Sequence, residues 1–355
     1  LMNTSPDNLK EILHLLSRIY SSLEPEEVLN QSLKGIVSLV GCEAGSIWEV
    51  NWKEGKLFFR AIVGRSAELL KGKTLNIGEG IAGTVALSQR PVIIEEAKNS
   101  PLWNPSFDEL SKFHTVNLLT FPLKSREGVI GVIQLINKSP RFSSQDLELV
   151  DAISGPVAMA LENAKLYFFQ KKLFKETALA LATAIDKRDP YTGGHTRRVL
   201  HYSRAIGENL GLSAKELELL ELSAILHDIG KIGIPDQILR KSSPLNPQER
   251  LLIERHPVIG AEIVEGIPGT EKILEGIKFH HERCDGSGYP EGLSCHEIPL
   301  FARIIAVADV FDALTTDRPY RKALSEEEAL DHLRENSGVK FWPEAVKAFL
   351  RWLKD

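Results

Sequence analysis

Residues 8–23 repeat apolar side chains at Leu9, Ile12, Leu13, Leu16, Ile19 and Tyr20, the three- and four-residue steps of one helix face. Asp7, following Pro6, reads as the N-cap. Residues 26–39 carry a second stripe, Val28, Leu29, Leu33, Ile36 and Val37, continued by Val40, and predict a second helix. The period then falls to two. Residues 44–50, 56–63 (after Glu54-Gly55), 91–94, 118–123 and 129–136 read as strands, with the turn composition Arg126-Glu127-Gly128 between the last two. Among them, residues 80–86 read as a short helix entered through glycines. This order describes an α+β domain built on an antiparallel sheet.

A long helical pattern starts at Ser144. Val150, Ile153, Val157, Ala160, Ala164 and Tyr167 alternate steps of three and four, which is a heptad seam. Lys171 interrupts it, and Phe174, Ala178, Leu181 and Ile185 resume it. The pattern predicts one connecting helix, kinked by Pro156, that pairs with a second copy of the chain. Residues 176–355 show no alternating pattern and read as helices separated by Gly and Pro breaks, an all-α domain.

Composition narrows the class. The 355 residues are 43% hydrophobic and 26% charged, as in soluble globular chains of about two domains. No run long enough for a membrane span and no signal-peptide pattern is found, so a cytoplasmic protein without membrane contact is expected. Cys42, Cys284 and Cys295 form no CxxC pair and read as reduced thiols rather than a disulfide framework. Residues 1–175 hold 20 Lys+Arg and 19 Asp+Glu, whereas residues 176–355 hold 23 and 29. The second half is therefore acidic, unlike a surface for a nucleic acid polymer, and it carries eight of the ten histidines.

His14, His114, His201, His296 and His332 lack suggestive neighbours and read as ordinary histidines. The other five differ. His227-Asp228 and His280-His281 each end an apolar stretch, His256 precedes Pro257, His195 follows two glycines, and Asp309 interrupts an apolar helix. Burying a bare carboxylate costs several kcal/mol, so such groups need partners. Five histidines and two aspartates exceed the three or four ligands of one metal and suit a pair sharing a carboxylate. Lys231 lies one turn beyond Asp228 and is expected to face the same cavity.

Two resemblances follow from longer motifs. Gly78-Glu79-Gly80-Ile81-Ala82-Gly83, then Arg90-Pro91-Val92-Ile93-Ile94 and Gln134-Leu135-Ile136-Asn137-Lys138 resemble a GAF domain, a sensory or dimerising module. Some relatives bind cyclic nucleotides through an Asn-Lys, Phe, Asp-Glu signature. Asn137, Lys138, Phe142 and Asp146 fit it, but Leu147 replaces the Glu, so an empty or packed pocket is expected and the GAF ligand is unknown.

His227-Asp228-Ile229-Gly230-Lys231, then His280-His281-Glu282-Arg283-Cys284-Asp285-Gly286-Ser287-Gly288-Tyr289-Pro290, and Ala308-Asp309-Val310-Phe311-Asp312-Ala313-Leu314-Thr315 closed by Arg318-Pro319-Tyr320-Arg321, resemble the HD-GYP family. That resemblance implies hydrolysis of cyclic di-GMP to linear pGpG, and in many relatives on to GMP, through a metal-bridging hydroxide. It implies residues 1–170 as a GAF regulatory and dimerisation domain and 171–355 as the catalytic domain. It places His195, His227, Asp228 and Asp309 on one divalent metal, iron or manganese, and Asp228, His256, His280 and His281 on a second. A third metal found in some relatives uses a Glu where this chain has Tyr191. Asp228 and Lys231 take catalytic roles, and Tyr289, Gly288, Asp312, Arg318 and Arg321 substrate-binding ones. Gly286 and Gly288 are expected at positive φ, presenting Tyr289. A homodimer through the GAF domain and connecting helices, and a GGDEF-domain protein, are the implied partners. Residues 241–245, Lys-Ser-Ser-Pro-Leu, replace the family's Lys-Pro-Gly-x-Leu, with no effect expected on the ligands. A non-catalytic cyclic-dinucleotide signalling module and a di-iron oxygenase are the alternatives.

Overall fold

The computed structural model describes residues 6–64, 72–105, 108, 113–126, 128–188, 193–241, 243–317 and 322–354, with side chains from Lys10 onward. Contacts divide the chain into two compact units that meet at Lys172/Leu173.

The first unit opens with α1 (Pro6–Ser21) and α2 (Pro25–Val40). The first helix starts ahead of Asp7, so Asp7 is not its cap. Pro25 starts α2 with a ring already set to the helical φ, and Gly41 ends it at φ 70°. The strands are β1 (Ala44–Asn51), β2 (Lys56–Val63), β3 (Thr74–Asn76), β4 (Val92–Ile94), β5 (Leu118–Ser125) and β6 (Gly128–Ile136), with α3 (Gly80–Ser88) between β3 and β4. They pair antiparallel in the order β3-β2-β1-β6-β5-β4. The three-residue β3 escapes the sequence pattern because two alternations are too few to show a period. Residue 127, in the turn before β6, lies outside the described residues.

The helix α4 runs unbroken from Ser144 to Asp186 through Pro156. Most of its sequence seam is buried within the two units, whereas Tyr167, Phe174 and Leu181 of the same seam are exposed. Val150, Ile153, Val157, Ala160 and Ala164 are buried in the core of their own unit with Leu33, Ile36 and Ile133. Ala178 and Ile185 are likewise buried in the second unit, against Ile225, Leu226 and Ile277. A heptad pattern records only that a helix face is covered, and where these residues are buried the chain covers the face itself. A second exposed stripe is formed by Met159, Leu166, Phe169 and Leu173, each at least half exposed.

The second unit contains α5 (His195–Asn209), α6 (Ala214–Leu226), a 3-10 turn (Ile229–Gly233), α7 (Asp236–Leu239), α8 (Pro247–Ile253), α9 (His256–Val264), α10 (Glu271–Phe279), α11 (Leu300–Thr315), α12 (Glu326–Glu335) and α13 (Pro343–Trp352). Capping boxes at Ser213/Glu216, Asn246/Glu249 and Ser325/Glu328 start α6, α8 and α12. The apolar α11 is the centre of its core, where Ile304, Ile305, Val307 and Phe311 meet Val199, Leu333 and Phe349. The buried carboxylate of Glu221 on α6 is neutralised by Lys175 of α4 and Arg204 of α5.

Backbone meets backbone most closely, among the described glycines, where the 3-10 turn crosses α9. A Cβ at Gly230 would fall 1.9 Å from the His256 carbonyl oxygen and 2.4 Å from the Gly260 nitrogen, backbone atoms that cannot swing aside. Gly230→Ala is therefore expected to destabilise the fold by about 1–3 kcal/mol or more. Thermal denaturation checks this, and an unchanged midpoint would show that the crossing accommodates a methyl group.

Candidate metal centre

Six of the seven residues expected at the centre sit at or beside helix ends, because the breaks that stop these helices also turn the chain inward. His195 opens α5, His227 caps α6, Asp228 precedes the 3-10 turn, His256 opens α9, and His280 caps α10 with His281 next to it. Asp309 alone projects from mid-helix, on α11. His195, His227, His256 and His280 are each no more than 3% exposed.

The hydrogen bonds give these rings a common orientation. Nδ1 of His227 donates to Ala224 O, that of His256 to Ile253 O and that of His280 to Ile277 O, each at 2.7 Å. His195 Nδ1 donates to Asp312 Oδ2, also at 2.7 Å. With Nδ1 engaged as donor, each ring turns its Nε2 inward. Those nitrogens converge on Asp228. Its Oδ1 lies 3.2 Å from His256 Nε2, and its Oδ2 lies 3.4 Å from His227 Nε2 and 3.5 Å from His195 Nε2. The two carboxylate oxygens thus face different histidine groups. Asp309 Oδ1 is 3.5 Å from His195 Nε2. The donor atoms form the groups His195/His227/Asp309, His256/His280/His281 and His227/Asp228/His280.

Some of these contacts are between like partners. His195 and His227 bring Nε2 atoms within 3.2 Å, and His256 and His280 within 3.4 Å. Two lone pairs at that range repel unless a cation or a shared proton lies between them. The donor set, imidazole nitrogen with carboxylate oxygen, suits a first-row divalent cation.

Electrostatics agree with the packing. Burial opposes the charge on Asp228, but Lys231 and His227 outweigh it and hold the carboxyl well below its usual range. Lys231 Nζ reaches Asp228 Oδ2 at 2.7 Å from within the 3-10 turn. Burial also opposes protonation of His195, yet its hydrogen bonds to Asp228 and Asp312 carry it to about 10. His280 and His281 are driven well down by burial first and neighbouring imidazoles second. Above the cluster opens a cleft of about 680 Å³, bordered by Lys231, Lys241, Arg250, Arg283, Tyr289 and Phe341. Ser243, Pro244 and Leu245 also border it, while Ser242 lies outside the described residues.

The residues expected to contact substrate separate into three groups. Tyr289 lines the cleft, its ring 4.8 Å from that of His281. Burial, reinforced by Asp309 and Asp228, raises its phenol far above the ordinary value and keeps it neutral. Asp312 faces away from the cleft: it is 1% exposed and spans His195 Nδ1 and the guanidinium of Arg198. It is therefore placed to orient His195 rather than on the cleft wall, where a substrate contact is expected. Gly288 is not a cleft residue either, nor at positive φ like Gly286 (φ 75°). A Cβ there would sit 2.4 Å from Glu282 Cα and the Arg283 nitrogen, so glycine is needed for close approach of the loop to its own start. Arg318, Arg321 and Tyr191 lie outside the described residues.

Cys284 and Cys295 are joined by a disulfide rather than reduced. The antiparallel bridge Asp285–Ser294 brings them together, a pairing that a sequence separation of 11 does not display. In the first unit, Asn137, Lys138, Phe142 and Asp146 serve the fold. Lys138 pairs with Asp146, Phe142 is buried in the core, and Asn137 bonds Glu43, His114 O and Val116 N. A separate cavity of about 110 Å³, bordered by Trp48, Phe59, Leu75 and Ile81, lies beside the sheet.

Residues 22–162 match the GAF domain family and residues 180–344 the HD domain family. The chain thus carries a GAF domain followed by an HD domain. It is 46% identical over 180 residues to the cyclic di-GMP phosphodiesterase response regulator RpfG of Xanthomonas campestris pv. campestris, covering 50% of this chain and 47% of that one. It is 36% identical over 244 residues to a cyclic di-GMP phosphodiesterase of Thermotoga maritima (63% and 66% covered). Against 3'3'-cGAMP-specific phosphodiesterase 3 of Vibrio cholerae it is 33% identical over 259 residues (70% and 56%). The chain thus spans between about half and two thirds of the length of these relatives. Among the described residues no helix is long and apolar enough to cross a membrane.

Asp312→Asn is expected to weaken divalent metal binding roughly 10- to 100-fold, because the amide no longer fixes the His195 tautomer. Metal titration of the purified variant measures this. Unchanged affinity with impaired substrate binding would return Asp312 to the cleft.

Proposed function

We propose that this chain is a metal-dependent phosphodiesterase that opens cyclic di-GMP to pGpG, with the GAF domain as its regulatory part. The observation that carries the reading is the placement of Asp228, one carboxylate oxygen toward His195 and His227 and the other toward His256. One divalent ion, iron or manganese, fits His195, His227, Asp309 and Asp228, and a second fits Asp228, His256, His280 and His281. Bound there, the two ions supply Lewis-acid polarisation of a phosphoryl group and an acidified water.

The chain's own residues do the rest. Lys231 keeps Asp228 ionised and places a cation on the cleft wall, where it can donate to a phosphoryl oxygen or protonate the departing sugar oxygen. In an acidic domain, that cation and Arg250 and Arg283 make the entrance compatible with an anion. Tyr289, held against His281, offers a ring face on which a guanine stacks. Arg318 and Arg321 are assigned to the second phosphate. The cationic cleft and the named activities of the relatives favour a phosphodiester over dioxygen as substrate, and turnover without oxygen uptake separates the two. The filled ligand positions favour an enzyme over a binding module.

The assignment is tested with Asp228→Asn. Turnover of cyclic di-GMP is expected to be lost and bound metal to fall, because a neutral amide bridges two cations poorly. Normal activity at wild-type metal content would overturn it. Parallel assays with 3'3'-cGAMP and with cyclic di-GMP rank the substrates.

We also assign the exposed stripe Met159, Leu166, Phe169 and Leu173 to contact with a second copy. Its steps of seven, three and four residues are those of a coiled-coil face. Leu166→Glu with Phe169→Glu is expected to convert a dimer to a monomer in sedimentation equilibrium. A dimer that survives both charges would place the interface elsewhere.

A further inference from the structure

The loop that carries Tyr289 is built around a buried anion. Glu282 follows the two histidines and is 2% exposed. It borders the cleft, but its carboxylate is not among the metal-ligand groups, and both oxygens bond to the loop. Oε1 accepts from the backbone N–H of Glu291 at 2.7 Å and of Gly292 at 3.1 Å, and Oε2 accepts from that of Leu293 at 3.0 Å. Three consecutive amides on the returning limb thus converge on one side chain of the outgoing limb. Around this centre, Gly288 lies against the backbone of Glu282 and Arg283, and Tyr289 N donates to His281 O at 3.3 Å. The neck is closed by Cys284–Cys295.

We propose that Glu282 is the positioning residue of the substrate-contacting loop: its charge folds residues 283–295 so that Tyr289 stands against His281. The inference rests on Tyr289 as a substrate contact. The requirement is for a carboxylate in particular. Three N–H donors need acceptors on both terminal atoms, and a glutamine presents its own NH2 to at least one of them, leaving a buried donor facing a donor. Hydrogen bonds to a charged group are the stronger kind, so their loss should release the loop while leaving the histidine cluster intact.

The test uses the full chain and the variants Glu282→Gln, Tyr289→Ala and both together. In Glu282→Gln, hydrogen exchange at amides 291–293 is expected to accelerate by roughly tenfold or more. The KM for cyclic di-GMP should rise by roughly tenfold, the equivalent of about 1.4 kcal/mol, with kcat and bound metal close to wild type. In the Tyr289→Ala background the same change should add little, because a residue acting through another loses its effect with it. Unchanged exchange, an unchanged KM, lost metal, or an effect that adds in full to Tyr289→Ala would each overturn the proposal. Should Glu282→Gln not fold, Glu282→Asp, which keeps the charge but falls about 1.5 Å short of the amides, is held to the same outcomes. A wild-type chain that leaves cyclic di-GMP intact would refute the substrate assignment instead, and exchange at 291–293 would still decide the role of Glu282.

Discussion

The second unit depends on one local bond made three times over. A histidine that ends a helix, or opens the next one, gives its Nδ1 proton to the carbonyl three residues earlier, as His227, His256 and His280 do. That carbonyl would otherwise be among the unpaired groups of a helix terminus. The bond therefore satisfies backbone and fixes ring orientation together. At His195, which opens α5, Asp312 of α11 is the acceptor instead, itself held by Arg198 of α5. Four rings are thereby held in one orientation, each with its Nε2 turned toward the cluster around Asp228.

Such an arrangement is costly by itself. Buried imidazoles packed within 3.2–3.4 Å of one another and of a carboxylate repay their desolvation only when a cation or proton joins them. The surrounding core meets that cost through helices that are apolar on the faces bordering the cluster, notably α11 with Ile304, Ile305, Val307 and Phe311. Stability and chemistry are thus separated in space: aliphatic packing on one side of α11, the polar cluster and cleft on the other.

Much of this was legible in the residue order. Ionisable groups at the ends of apolar stretches mark His227, Asp228, His280 and His281, since nothing else excuses a charge there. The same rule reaches Glu282, which follows those histidines, but a sequence does not say that its acceptors serve the loop. Asp312 is three residues beyond Asp309 and looks equivalent to it; only the packing of α5 against α11 shows that one faces the cluster and the other stands behind His195. The seam on α4 is buried by the chain itself at Val150, Ile153, Val157, Ala160, Ala164, Ala178 and Ile185, which the sequence does not show, because periodicity carries no information about whose side chains fill the holes. The disulfide stayed hidden because its closeness is made by the Asp285–Ser294 bridge, not by spacing.

The crossing of Gly230 and Gly260 gives the centre an unusual ruler. Where side chains separate two helices, a change of one methylene anywhere in the layer alters their spacing. Here the 3-10 turn and α9 meet peptide on peptide, so the distance between Asp228 and His256 is set by atoms that every residue shares. Substitutions can accumulate in the aliphatic layers on either side without changing that distance. The pitch of the cluster is in this sense independent of the rest of the sequence, and a lineage could redesign the whole core while carrying the same gauge forward.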